Sequence, residues 1–97
     1  MSEQIKISEN MAKIIRNLKR YEAIAEVIYL GHCEDNTDCE VIRIKTKDAH
    51  RFPWKSRPRI EAMINKYGYR IIQEYGCDCG PYDERDFYLI KERDQNA

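Results

Sequence analysis

Twice along the chain, an apolar stripe at helical spacing is followed by two runs rich in β-branched residues and tyrosine. Each pair of runs brackets an acidic turn that carries two cysteines. In the first half Ser8 is placed to cap a helix, and Met11, Ile14, Ile15 and Leu18 recur at the spacing of one helical face. Lys13, Arg16, Asn17, Lys19 and Arg20 fill the opposite side. "EAIAEVIYLGH" (Glu22 to His32) and "CEVIRIKT" (Cys39 to Thr46) read as strands, with "HCEDNTDC" forming the turn between them. In the second half Pro58 suits the first turn of a helix whose stripe is Ile60, Met63, Ile64 and Tyr67, and Gly68 stops it. "YRIIQEY" (Tyr69 to Tyr75) and "DFYLIKER" (Asp86 to Arg93) are the third and fourth strands, around the turn-rich "GCDCGPYDE".

The expected fold is therefore α+β: two helix–hairpin units in the order αββαββ, forming a four-stranded antiparallel sheet with both helices on one face. Helices are expected near residues 8–20 and 58–67, with a short strand at Gln4 to Ile7 as an addition. The 97 residues make one domain, with residues 8–46 and 58–93 readable as an internal repeat, a basic linker at 45–59 and a frayed tail at 94–97. Ile14, Ile15, Leu18, Ile28, Ile42, Ile44, Ile60, Ile64 and Leu89 are the expected core.

Charge and hydropathy narrow the function classes. Charged residues make up 35% of the chain, above the roughly 25% of ordinary globular domains, yet 17 cations balance 17 anions. No global field attracts a polyanion, so any such attraction has to be local. No apolar run approaches the ~18 residues of a membrane-spanning helix, and "MSEQIKISEN" lacks a signal-peptide core. The expected location is cytoplasmic, which lowers the expectation of disulfides.

The four cysteines have three readings. If the hairpin tips share one end of the sheet, Cys33, Cys39, Cys77 and Cys79 meet in space. As disulfides, Cys33 and Cys39 close their own loop or the two loops are cross-linked, while a bond between Cys77 and Cys79 is strained. A link between loops would contribute about 2–4 kcal/mol. As zinc ligands, with His32 in reserve, the four thiolates suit a tetrahedral ion. The gaps of five and one residues do not suit it, since such pairs usually enclose two to four. Free thiols are the third reading. A disulfide between the loop regions is the expectation, and no metal or other cofactor is required. No Ser-His-Asp or Cys-His order, calcium loop or phosphate-cradling glycine motif points to an enzyme.

One segment departs sharply from a neutral surface. "RIKTKDAHRFPWKSRPR" carries Arg43, Lys45, Lys47, Arg51, Lys55, Arg57 and Arg59 against the single acid Asp48, with Phe52 and Trp54 interleaved. Cations neutralise phosphates and exposed rings stack on unpaired bases. Phe52 and Trp54 are equally readable as closing the core beneath a crossover loop. Arg43 and Lys45 alternate with Ile42 and Ile44, which places them on the open sheet face with Tyr29 and Tyr88. The leading expectation is a small, non-enzymatic nucleic-acid-binding protein, with DNA or RNA as partner. The alternative is a protein-interaction or inhibitory module whose acidic, cysteine-bearing tips engage a basic protein surface. Acidic tips apart from a basic linker would also allow head-to-tail association into a homodimer.

Overall fold

The computed structural model describes residues 7–34, 38–48, 52–77 and 80–92, except for the side chain of Cys77. The order of elements is α1 (Glu9–Leu18), β1 (Ile24–His32), β2 (Cys39–Thr46), a 3-10 turn (Trp54–Ser56), α2 (Arg57–Lys66), β3 (Tyr69–Cys77) and β4 (Glu84–Lys91). The protein is an α+β domain with a four-stranded antiparallel sheet in the order β1-β2-β4-β3. Among the described residues, no helix is long and apolar enough to cross a membrane.

Local chemistry accounts for the helix limits. The Ser8 hydroxyl accepts the Met11 N–H at 3.1 Å, satisfying one of the donors that a helix start leaves unpaired. Helix α1 ends at Leu18 and does not run on through "YEAIAEV". Pro58 lies in the first turn of α2, where its missing N–H costs nothing. Gly68 follows that helix at φ +88°, a conformation from which a side chain would be nearly barred.

One cluster joins both helices to one set of alternating strand residues. Met11, Ile14 and Leu18 of α1 and Ile60 and Ile64 of α2 meet Ile42, Ile44, Phe87 and Leu89 of the two central strands. Ile24, Val27, Phe52 and Tyr69 complete it. Full burial of each aliphatic side chain is worth about 1.5–3 kcal/mol, so this cluster dominates the stability.

Two expected core residues sit elsewhere. Ile15 is half-buried at the rim of the cluster. Ile28 pairs with Arg43 and so belongs to the opposite side of the sheet, while Val27 pairs with Ile44. The cause is a bulge between Ile24 and Glu26, which inserts an extra residue and reverses the side-chain alternation that follows. It also brings Tyr29 opposite Ile42, on the helix-packed side and not beside Arg43 as expected.

The largest correction concerns the hairpin tips. Strands β2 and β4 run antiparallel, with Cys39 opposite Ile90 and Lys45 opposite Glu84. Cys77 also pairs with Glu84. The first tip therefore lies at one end of the sheet and the second at the other. Cys39 and Cys77 are offset by the six residues from 84 to 90, roughly 20 Å at about 3.4 Å per residue. A disulfide needs Cα atoms within about 7 Å. The expected bond between the loops at Cys77 is excluded, and so is a tetrathiolate zinc site. Cys79 lies outside the described residues, as does all but Ile7 of the strand expected at Gln4 to Ile7.

Candidate nucleic-acid interface

The basic linker leaves the sheet through a buried polar clasp. Thr46 N–H donates to the Asp83 carbonyl at 3.0 Å, and Asp83 N–H returns a bond to Thr46 Oγ1 at 2.8 Å. The Thr46 hydroxyl also donates to the Asp48 carbonyl at 2.7 Å. The end of β2 is thereby tied to the start of β4. Beyond the clasp, Phe52 drops into the core, 4% exposed, with its ring 6.2 Å from Phe87 in an edge-on contact.

Trp54, two residues on, goes the other way. Its side chain opens the 3-10 turn, where Ser56 N–H bonds the Pro53 carbonyl at 2.9 Å, and it is 50% exposed. The indole tilts against Phe52 at 4.8 Å between centroids, and the Arg85 guanidinium lies 4.4 Å from the indole centroid. Arg85 is itself held: its Nε donates to Glu74 Oε2 at 3.0 Å. The other oxygen of Glu74 accepts Arg57 Nη2 at 2.8 Å. Opposite Arg85 on β3 stands Gly76, where a Cβ would overlap the guanidinium. The glycine leaves the channel through which Arg85 reaches the indole. Trp54 is thus backed by a fixed cation on one side and open to solvent on another.

The linker's charges divide into two groups. Arg43 lies on the side of the sheet away from the core cluster, with Nε and Nη2 on the two oxygens of Asp86 at 2.8 and 3.0 Å and Glu84 at 3.8 Å. The bonds to Asp86 hold its guanidinium proton more tightly than usual. Lys45 lies 3.8 Å from Glu84 and over the Tyr82 ring. Arg57 is committed to Glu74 and, at 3.6 Å, to Glu61. Lys47, Lys55 and Arg59 are exposed and have no ion-pair partner among the described residues. Arg51 lies outside the described residues. Of the eight expected residues that are described, Lys47, Trp54, Lys55 and Arg59 thus have side chains available to a ligand.

The other end of the sheet holds a group that the sequence reading passed over. Glu40 is 7% exposed, and its carboxylate accepts Tyr29 Oη at 2.7 Å and Tyr69 Oη at 2.9 Å. Tyr69 Oη also lies 3.2 Å from the hydroxyl of Ser8, the cap of α1. Burial, and then the Glu40 carboxylate, push the Tyr29 phenol well above its ordinary value. Burial also raises that of Tyr69. The signal was present: Glu40 has the same strand parity as Ile42 and Ile44, which puts a charge on the buried side.

Beside this network Cys33 and Cys39 face each other across the hairpin, with Cys33 N–H donating to the Cys39 carbonyl at 2.9 Å. Both are free thiols whose sulfurs are in direct contact. Burial and the contact with Cys33 push the Cys39 thiol up to about 12. Among the described residues no three His, Cys, Asp or Glu side chains cluster in a way that could hold a metal ion.

Comparison with protein-family models, curated proteins and solved structures finds no match for this chain.

Proposed function

We propose that the protein is a non-enzymatic binder of single-stranded nucleic acid, and that the contact is the edge formed by Lys47, Trp54, Lys55 and Arg59. The observation that carries this reading is the half-exposed indole of Trp54, backed by Arg85, in a segment whose Lys47, Lys55 and Arg59 are exposed and have no ion-pair partner among the described residues. A base stacked on such a ring contributes about 1–3 kcal/mol whatever its identity, and the neighbouring cations neutralise phosphates. Burial of Phe52 and the 3-10 turn hold the indole in place before binding, which lowers the ordering cost.

In this reading the fold is αββαββ with both helices over the Ile42, Ile44, Phe87 and Leu89 side, and the linker crosses from sheet to helix at one end. Arg43, Lys45 and Arg57 serve the fold, since each already has a carboxylate. In the rival reading, a protein-interaction or inhibitory module whose acidic, cysteine-bearing tips engage a basic partner, each tip would act separately, since the two lie at opposite ends of the sheet.

Fluorescence anisotropy with labelled single- and double-stranded DNA and RNA at low salt tests the proposal. Single strands should bind more tightly than duplexes, with affinity falling steeply as salt rises. Trp54→Ala should weaken single-strand binding by about 1–3 kcal/mol while leaving the melting temperature nearly unchanged. The combined change Lys47→Gln, Lys55→Gln and Arg59→Gln should weaken binding to every sequence and flatten the salt dependence. An absence of binding at tens of micromolar, or binding indifferent to the triple change, sinks the reading.

A further inference from the structure

The paired thiols at the first hairpin tip lie far from the Trp54 edge and take no part in the proposed binding. Cys33 and Cys39 flank the loop of residues 34–38 and continue the pairing of His32 with Glu40. Their Cα atoms are therefore about as far apart as directly opposed strand residues, roughly 4.5–5.5 Å, within the range a disulfide spans. The two sulfurs are in direct contact, so a bond between them requires no rearrangement of the hairpin. The two sites differ in access: Cys33 is partly exposed, whereas Cys39 is 3% exposed.

We propose that Cys33 and Cys39 form a reversible dithiol–disulfide site, in which Cys33 is the entry point for a small-molecule disulfide and Cys39 resolves the mixed disulfide. The co-reactant belongs to the class of glutathione disulfide. In the first step the Cys33 thiolate attacks one sulfur of that disulfide; the Cys33–glutathione S–S bond forms and one glutathione thiolate leaves, taking up a proton. In the second, the Cys39 thiol gives up its proton and attacks the Cys33 sulfur, so that the Cys33–Cys39 bond forms and a second glutathione leaves. The protein loses two hydrogens and two electrons pass to the glutathione disulfide, which becomes two glutathione thiols. Burial keeps Cys39 protonated. It therefore cannot compete for the external disulfide and acts only once the mixed disulfide is beside it.

The test uses the full chain, purified reduced, incubated with glutathione disulfide, alkylated and mapped by peptide mass spectrometry. The expected product is a Cys33–Cys39 cross-linked peptide lighter by two hydrogens. Cys39→Ser should accumulate one glutathionyl group on Cys33. Cys33→Ser should leave Cys39 unmodified in the folded chain and modified in denaturant. Retention of glutathione on Cys33 in the unsubstituted chain, bonding of either residue to Cys77 or Cys79, or modification of folded Cys39 as fast as Cys33 would overturn the proposal. Should Cys39→Ser fail to fold, the map of the unsubstituted chain decides the pairing, and the alkylation rates of its folded Cys33 and Cys39 decide the order of attack.

Discussion

The two ends of the sheet solve the problem of a polar group near the core by different means. At the first-hairpin end a buried carboxylate, Glu40, is satisfied by neutral donors, the phenols of Tyr29 and Tyr69. At the second-hairpin end Glu74 is satisfied by two full charges, Arg57 and Arg85, one on each oxygen. The first arrangement keeps the charge inside and adds none to the surface. The second is a chain of partly exposed ion pairs, its members about one-fifth accessible, that ends at an indole facing solvent. One end is arranged to hold protons and the other to present charge.

Removing each carboxylate should expose the difference. Glu40→Ala leaves the Tyr69 phenol, 1% exposed, without its acceptor and opens a void beside it, for an expected loss of about 3 kcal/mol. Chemical denaturation at low and high salt should give the same loss, because the group is buried. Glu74→Ala frees two guanidiniums that water can partly reach, for about 2 kcal/mol, and the loss should shrink as salt rises. Similar salt dependence in the two variants would break the contrast.

Alkaline titration should produce the next effect. The fold keeps the protons of Cys39, Tyr29 and Tyr69 above the values at which the unfolded chain releases them. Their contribution is complete below the ordinary thiol value of about 8.5 and falls as pH rises from there, through about 12 for Cys39. Urea midpoints measured from neutral to alkaline pH should decline across that window. In Cys39→Ala the part of the decline nearest the thiol value should be missing. Smallest of all is the effect of one end on the other. Oxidation of Cys33 and Cys39 should leave single-strand affinity within about twofold, since the two sites lie some six residues apart along the central strands.

Periodicity and punctuation made the elements legible. Ser8, Pro58 and Gly68 each stand where a helix start or stop needs them. Strand alternation correctly set Arg43 and Lys45 apart from Ile42 and Ile44. What period two could not convey is where it breaks. The irregularities near Ala25, Leu30 and Ile72 depend on how two strands settle against each other, and the one near Ala25 moved Ile28 and Tyr29 to unexpected sides. The pairing of Arg43 with Asp86, which removes a cation from the candidate site, rests on a register set 43 residues away in sequence. The position of the tips has the same origin, in the pairing of β2 with β4. Phe52 and Trp54 sit in a loop without any repeat, so only the packing decides which ring is inside.

The placement of Trp54 gives the molecule a built-in optical probe. It is the single tryptophan of the chain, and it rests at the rim of the structure against a guanidinium. Its emission therefore reports on the linker and its immediate support, while the Glu40 end contributes no indole signal at all. A melt followed by tryptophan fluorescence and by far-ultraviolet circular dichroism would watch different parts of one protein. If the clasp at Thr46 and the anchor at Phe52 release before the sheet does, the fluorescence transition will come first, and the interval between the two curves will measure how independently this edge can open.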